Sequence, residues 1–175
     1  GALEENLITP NTTVDCKGKI EVPHEYTDET QVFKDWATHG ITDVKKAIAE
    51  SCNVFFYSIG GGHEDIDGLG PVRIKKWLQR FGWGTKTGID LPSENKGTLP
   101  SFGDKWRLGD TYHFSIGQGY FAIPPLQVNV GFNAIANGGV LYEPRLVKKI
   151  IGEEEKPKEK KVIRKDIVSK ETLRV

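Results

Sequence analysis

The sequence predicts an α+β protein in which helices predominate, and three observations support this fold class. Apolar residues recur at three- and four-residue spacing within 43–60, 70–81 and 125–135, which is the pattern of amphipathic helices. Short β-branched runs at 140–142 and 162–164 are typical of a small antiparallel hairpin. The composition, with 37% hydrophobic and 27% charged residues, is ordinary for a globular protein, and 175 residues can bury one sizeable core.

The first helical segment is expected to begin at Thr42 or Asp43, because either side chain can cap the free N–H groups of a first turn. Its apolar stripe is expected to comprise Val44, Ala47, Ile48 and Ser51. A break at 51–53 would divide the segment into two helices, and the three glycines at 60–62 would end the second one.

Two further helices are marked by a proline at the start. Pro71 suits the first turn of a helix over 70–81, and Pro125 suits that of a helix ending before Asn137. Residues 1–41 and the connector from 83 to about 109 are rich in turn formers, so both are expected to be irregular.

The C-terminal part predicts a small antiparallel sheet. Short strands are expected at 140–142, 146–147, 150–151 and 162–164. The charged run 153–161 is expected to form a solvated loop, and Ser169 is expected to cap a helix that reaches the end of the chain.

Charge and composition exclude several classes of function. Lysine plus arginine equal aspartate plus glutamate at 24 each, so no nucleic-acid partner is expected. No apolar run approaches a membrane span, and the chain opens mid-pattern without methionine, which suggests an excised fragment. The four histidines show no zinc-ligand spacing, so no metal or cofactor is expected. Cys16 and Cys52 do not make a disulfide framework, and whether they pair stays open.

Ser51 and Asn53 are the candidate site residues. A hydroxyl two residues before a carboxamide, on a turn between helices, can present both side chains to one cleft. The serine can pass a proton, and the amide can hold a peptide carbonyl or N–H in register. A serine hydroxyl needs an adjacent base to become a nucleophile. The alternative interpretation is that Ser51 ends one helix and Asn53 caps the next, without any site.

The motif Ser51-x-Asn53, followed by Ser115-Ile116-Gly117-Gln118-Gly119, resembles the penicillin-binding proteins, the serine transpeptidases that crosslink bacterial cell walls. Other segments are spaced as in the class B members. They are His39-Gly40, Phe55-Phe56-Tyr57, Phe81-Gly82-Trp83-Gly84, 87–92, Gly109-Asp110-Thr111, Pro125-Leu126-Gln127 and 136–139. The Gly-Asp-Thr segment resembles the penicillin-binding protein 2 branch. The chain departs from the family at Pro124, where threonine is usual.

The resemblance implies that residues 1–175 are a fragment of a single transpeptidase domain of the penicillin-binding and serine β-lactamase-like fold. The chain would supply a helical lobe and a short antiparallel hairpin, without the upstream nucleophile helix or the downstream Lys-Thr-Gly strand. In this family Ser51 would relay a proton towards the leaving nitrogen, and Asn53 would clamp the substrate amide. The fragment alone is expected to be inactive and to self-associate through exposed apolar surface.

The resemblance also implies a membrane-anchored, extracytoplasmic parent enzyme. It would form a serine acyl-enzyme with peptidoglycan stem peptides, bind β-lactams and work with the cell-elongation machinery. Two alternatives stay open, namely a β-lactamase-like hydrolase and a non-catalytic scaffold or partner-binding module derived from the same fold.

Lys86-Thr87-Gly88 and Ser93-x-x-Lys96 spell the two missing motifs, but both are expected to be decoys. A catalytic Ser-x-x-Lys requires the first turn of a helix, whereas Ser93 lies among loop formers. A catalytic Lys-Thr-Gly requires an inner strand, whereas Lys86 lies in a glycine-rich connector.

Overall fold

The computed structural model describes residues 1–24, 27, 29–148 and 160–175. In these residues five α-helices outweigh six short strands, which confirms the predicted α+β class with a helical majority. The strands are β1 (Val14–Cys16), β2 (Lys19–Pro23), β3 (Thr30–Lys34), β4 (Gly40–Thr42), β5 (Leu141–Tyr142) and β6 (Val162–Arg164). The helices are α1 (Val44–Glu50), α2 (Asn53–Gly61), α3 (Gly70–Arg80), α4 (Leu108–Ser115) and α5 (Pro125–Ala136).

The chain divides into two compact units. The first contains residues 1–74, 101–120 and 175, and the second contains 75–100 and the described part of 121–174. Of the helices in the described ranges, none combines the length and the apolar character that crossing a bilayer requires.

Two antiparallel strand pairs lie in the N-terminal region, so the expectation that residues 1–41 are irregular was wrong. β1 pairs with β4, and β2 pairs with β3 in a register that places Ile20 opposite Phe33. In β2, Ile20 and Val22 are buried while their neighbours are exposed, which is the two-residue alternation of a half-buried strand. That alternation covers only a few residues and lies among turn formers, which is why the sequence did not reveal it.

α1 begins as predicted, because the Asp43 carboxylate accepts a hydrogen bond from the Lys46 N–H at 2.8 Å. The predicted apolar stripe is only half correct. Val44 and Ala47 are buried, whereas Ile48 is 67% exposed and Ser51 is exposed. Ser51 leaves the stripe because it takes the left-handed conformation at the C-cap, and Ile48 lies about 100° around the helix axis from the buried Ala47.

The core of the first unit contains a close crossing of α2 and α4. Gly60 and Gly61 carry no side chains where the helices meet, and the Tyr112 hydroxyl donates to the Gly62 carbonyl at 2.8 Å. α4 was not predicted, because its apolar residues Leu108, Tyr112 and Phe114 do not lie on one helical face. The ring of Phe33 meets that of Tyr112 edge to face, which links β3 to the same core.

The second unit is built on α5 and the predicted hairpin. Leu141 and Ala134 are buried together with Ile167, and β5 pairs antiparallel with β6, which confirms the hairpin. Residues 146–147 do not form a strand, because their N–H groups donate to the Asp90 carboxylate instead of to a neighbouring strand. The expected strand at 150–151 and most of the loop 153–161 lie outside the described residues.

The C-terminal helix expected after Ser169 is shorter than predicted. The Ser169 hydroxyl does accept from the Thr172 N–H at 3.1 Å, but only a single 3₁₀ turn, Thr172–Arg174, follows. A cap satisfies the first free N–H group, but a cap alone does not determine how far the helix continues.

Candidate functional site

Ser51 and Asn53 lie at a sharp corner between α1 and α2. Ser51 takes the left-handed conformation, with φ 54° and ψ 47°, and its N–H donates to the Ala47 carbonyl to close the last turn of α1. Cys52 is extended, with φ −72° and ψ 108°, and it caps α2 by accepting from the Phe55 N–H at 3.4 Å. The left-handed conformation costs roughly 1–2 kcal/mol for a residue with a Cβ, so contacts around the corner must offset it.

The two side chains of the predicted motif are accessible. Ser51 is exposed and Asn53 is half-buried, while Cys52 between them is fully buried. Across the part of the chain that the structure describes, neither the Ser51 hydroxyl nor the Asn53 carboxamide has a hydrogen-bond partner. The corner therefore presents one hydroxyl and one amide whose hydrogen-bonding groups are available to a ligand.

The segment from Asp35 to His39 forms hydrogen bonds with the corner. The Trp36 indole N–H lies 3.2 Å from both the Glu50 and the Ser51 carbonyl oxygens, so it donates to the C-terminal end of α1. The His39 Nδ1 lies 2.9 Å from a Glu50 carboxylate oxygen. These contacts connect the C-terminal end of α1 to the neighbouring segment.

The Asp35 carboxylate also forms hydrogen bonds with the corner. Its Oδ2 accepts from the Val54 N–H at 2.9 Å and from the thiols of Cys16 and Cys52 at 3.4 Å each. Burial acts to raise the pKa of Asp35, but the N–H groups of Val54 and Trp36 and the two thiols together hold it below its ordinary value. The carboxylate therefore stays ionised and keeps accepting these bonds.

The pKa of the Cys52 thiol is shifted in the opposite direction, upwards. Burial raises its pKa to about 12, and the neighbouring Cys16 and Asp35 also raise it, while the Phe55 N–H acts to lower it. Without a metal ion the sulfur is thus a neutral thiol at physiological pH.

Four side chains converge at this point and could hold a metal ion. Cys16, Asp35, His39 and Cys52 each offer one ligand atom, and all four atoms lie within 4.8 Å of one another. Ligand atoms around tetrahedral zinc are roughly 3.3–3.8 Å apart, so closing the set requires a contraction of at most about 1.5 Å. Two sulfurs, one imidazole and one carboxylate are donors that zinc prefers.

His39 is already oriented as such a ligand. A carboxylate can only accept, so the Nδ1 facing Glu50 carries the hydrogen and Nε2 presents its lone pair to the cluster. That Nε2 is buried and, among the buried side-chain nitrogen and oxygen atoms of the described residues, it is the one that lacks a hydrogen-bond partner. The imidazole side chain is only 4% exposed, so bulk solvent does not reach this nitrogen.

Histidine spacing in the sequence does not reveal this cluster. The four donors come from β1, from the segment after β3 and from the corner, and no short motif joins them. One available signal was that Cys16 and Cys52 are the only two cysteines of the chain. Another was the four-residue spacing of Asp35 and His39, although spacing of this kind is common in surface ion pairs.

The two decoy motifs lack the secondary structure that their chemistry requires. Residues 86–88 belong to no strand, and Ser93 has φ 61° in a loop instead of opening a helix. The Thr87 hydroxyl and N–H both donate to Glu94 at 2.6 Å, so that threonine serves the local fold of the connector.

The chain resembles known proteins along almost its whole length. Residues 1–174 match the family model described as the penicillin binding protein transpeptidase domain. The peptidoglycan D,D-transpeptidase MrdA of Haemophilus influenzae is 35% identical over 175 residues, covering 95% of this chain and 25% of that protein. The chain therefore spans about a quarter of the length of this curated relative.

Solved structures agree with this match. Penicillin-binding protein 2 of Helicobacter pylori superposes with a TM-score of 0.73 at 33% identity, covering 98% of this chain and 31% of that one. Penicillin-binding protein 3 of Mycobacterium tuberculosis, solved with ampicillin, gives 0.75 at 27% identity, covering 98% of this chain and 36% of that one. The fold, the motif order and these similarities together show that the chain belongs to the penicillin-binding protein transpeptidase family.

Proposed function

We propose that this chain is the central part of a serine-type D,D-transpeptidase that crosslinks peptidoglycan stem peptides and is acylated by β-lactams. The observation that carries this proposal is the corner at Ser51 and Asn53, where an exposed hydroxyl and a half-buried amide have no hydrogen-bond partner among the residues that the structure describes. Family membership supports the reaction class, because the matched relatives carry the name of peptidoglycan D,D-transpeptidases.

Each of the two side chains has a separate role in this reaction. The Ser51 hydroxyl relays a proton to the nitrogen that leaves when the acyl-enzyme forms. The Asn53 carboxamide holds the substrate amide, because it offers both a donor and an acceptor to one peptide group. The attacking serine and the Lys-Thr-Gly strand belong to other parts of the protein, so these 175 residues alone are not acylated.

The setting of the parent protein follows from its substrate. Peptidoglycan lies outside the cytoplasmic membrane, so the enzyme works there, anchored to that membrane. The Gly109-Asp110-Thr111 segment and the similarity to MrdA favour the cell-elongation machinery as its partner.

The test uses the full-length protein that carries this chain and a fluorescent penicillin. Ser51→Ala and Asn53→Ala should each lower the acylation rate by about 10²-fold or more, because they remove a proton relay and a substrate clamp. Ser93→Ala, which changes the exposed decoy serine, is the matched control and should leave the rate unchanged. The separate 175-residue chain should not be labelled.

Three results would contradict the proposal. Wild-type acylation rates in Ser51→Ala would remove Ser51 from the site. Release of penicillin within seconds by the full-length protein would indicate a β-lactamase-like hydrolase. A full-length protein that is never labelled would indicate a non-catalytic scaffold.

We further propose that Cys16, Asp35, His39 and Cys52 bind one zinc ion that stabilises the corner between α1 and α2. The unpartnered and buried Nε2 of His39 carries this second proposal, because a buried imidazole nitrogen without a partner is costly unless a ligand completes it. Zinc binding must release the thiol protons, so the affinity should rise with pH. The role is structural, since both sulfurs are fully buried.

Elemental analysis of the purified protein tests this site. Close to one zinc per chain is expected, and zinc should be lost in His39→Ala. His63→Ala, which changes a histidine outside the cluster, is the matched control. A zinc content that is negligible after refolding with excess zinc under reducing conditions would refute the metal site.

A further inference from the structure

We propose that Cys16 and Cys52 are an oxidisable pair, so that a zinc ion and an intramolecular disulfide are alternative states of the same two sulfur atoms. This inference rests on the zinc site proposed above and adds a covalent modification to it. Its basis is the position of the two thiols relative to each other and to Asp35.

Both sulfur atoms are directed into one small space. Each thiol lies 3.4 Å from the same Asp35 oxygen, Oδ2, and the two sulfurs are within 4.8 Å of each other. A disulfide joins sulfurs about 2.05 Å apart, so the pair must approach by at most about 2.8 Å. The two cysteines come from separate segments, β1 and the corner after α1, so small shifts of either segment can supply this approach.

The oxidation uses a small disulfide, such as oxidised glutathione, as the oxidant. Both sulfurs are fully buried, so a local opening of the fold must first expose one of them to solvent. The exposed thiol loses its proton to water, and the resulting thiolate attacks the small disulfide, forming a mixed disulfide and releasing one small thiolate, which takes up a proton. The second cysteine sulfur then displaces the other small thiol and closes the Cys16–Cys52 bond. Two protein thiols and one small disulfide thereby become one protein disulfide and two small thiols.

Oxidation and metal binding exclude each other on this geometry. A Cys16–Cys52 disulfide removes two of the four donors and leaves only Asp35 and His39, which are too few for a structural zinc site. Conversely, a bound zinc ion lies between the sulfurs and holds them roughly 3.8 Å apart, beyond bonding distance. Zinc binding therefore prevents the disulfide from forming, and the disulfide prevents zinc from binding.

The position of Cys52 connects this chemistry to the corner. Cys52 lies between Ser51 and Asn53, and its sulfur accepts from the Phe55 N–H in the first turn of α2. Movement of that sulfur towards Cys16 acts directly on the turn that carries the two site residues. Loss of both thiol hydrogens also removes two of the hydrogen bonds that Asp35 accepts.

The test compares zinc-loaded and chelator-stripped samples of the full-length protein, each incubated with oxidised glutathione. Peptide mapping without reduction measures the Cys16–Cys52 disulfide, and elemental analysis measures zinc. The stripped sample should form this disulfide and then fail to take up zinc until it is reduced. The zinc-loaded sample should form it at least ten-fold more slowly.

A variant separates the two states. Cys16→Asp keeps four donors, because carboxylates ligate zinc, but it has no second thiol. It should bind zinc equally well before and after exposure to the oxidant. Cys16→Ser, which removes a donor and the disulfide together, should lose both properties.

The outcomes distinguish this inference from the zinc proposal. Reduced wild-type protein that takes up no zinc refutes the metal site and, with it, the competition. Zinc-binding protein whose stripped form keeps free thiols, or forms only mixed or intermolecular disulfides, refutes this inference alone. Equal oxidation rates with and without zinc also refute it.

Discussion

Gly60→Ala tests the close crossing of α2 and α4 in the core of the first unit. A Cβ added at Gly60 would overlap the Ser115 Cβ and lie 2.8 Å from the Ser115 hydroxyl oxygen. The Ser115 Cβ is fixed to the backbone of α4, so no side-chain rotation relieves the overlap. Because carbon atoms pack best about 3.5–4.0 Å apart, the two helices must separate by more than 1 Å or so.

The expected loss of stability is the difference between two effects. Overpacking of a well-packed core costs about 1–3 kcal/mol, and this overlap belongs at the upper end of that range. Replacing glycine by alanine within a helix returns about 1 kcal/mol. The net destabilisation is therefore about 2 kcal/mol, which lowers the melting temperature of a chain of this size by about 4–8 °C.

Thermal unfolding followed by far-ultraviolet circular dichroism measures this effect, and a double-mutant cycle assigns it. Ser115→Gly removes the opposing Cβ, so the pair Gly60→Ala and Ser115→Gly should be more stable than the two single losses predict, by about 1–2 kcal/mol. Gly103→Ala is the control, because nothing lies within 4 Å of its added Cβ. A coupling energy near zero, or a Gly60→Ala melting point equal to that of the control, would refute the crossing.

Three smaller perturbations test other parts of the structure. Gln127→Leu should lower the free energy of unfolding, measured with urea, by about 2–4 kcal/mol. The buried Gln127 amide forms hydrogen bonds with three backbone groups of the connector, and these groups would lose their partner. Glu94→Gln should lower the free energy of unfolding by about 1 kcal/mol at pH 7. Burial acts to raise the pKa of Glu94, but bonds from Thr87 and Gly88 lower it overall, so this difference should vanish as pH falls through the lowered pKa. Trp36→Phe keeps an aromatic ring but removes the indole N–H, which donates to the carbonyl oxygens of Glu50 and Ser51. Because this loosens the corner that carries Ser51, penicillin acylation of the full-length protein should be several-fold slower.

Local sequence signals predicted the elements whose causes are local. The Asp43 cap and the two prolines that open α3 and α5 each depend on a few adjacent residues, and each was confirmed. The hairpin after α5 was also confirmed, although residues 143–161 separate its two strands. The family resemblance also indicated the corner at Ser51 and Asn53. The structure places the first of these side chains at the surface, and within the described ranges neither side chain has a hydrogen-bond partner.

The missed features depend on contacts that are distant in sequence. β1 and β4 are three residues long and are stabilised by each other across more than twenty intervening residues, so neither carries a signal of its own. α4 is fixed by its close packing against Gly60 and Gly61 and not by an amphipathic stripe. The metal-ligand cluster likewise joins residues 16, 35, 39 and 52, which only the tertiary fold brings together.

The two oxygens of Asp35 allow the roles of backbone bonding and metal binding to be separated. The Val54 N–H donates to Oδ2 at 2.9 Å and the Trp36 N–H donates to Oδ1 at 2.8 Å, and neither bond needs a metal ion. Cys16, in contrast, connects β1 to this carboxylate only through a long thiol bond of 3.4 Å, which zinc would replace with a coordinate bond. Stripping zinc should therefore loosen β1 before it loosens the corner. Hydrogen exchange should show faster exchange in β1 with the Val54 amide still protected, and simultaneous loss of both would mean that the ion, not Asp35, holds the corner.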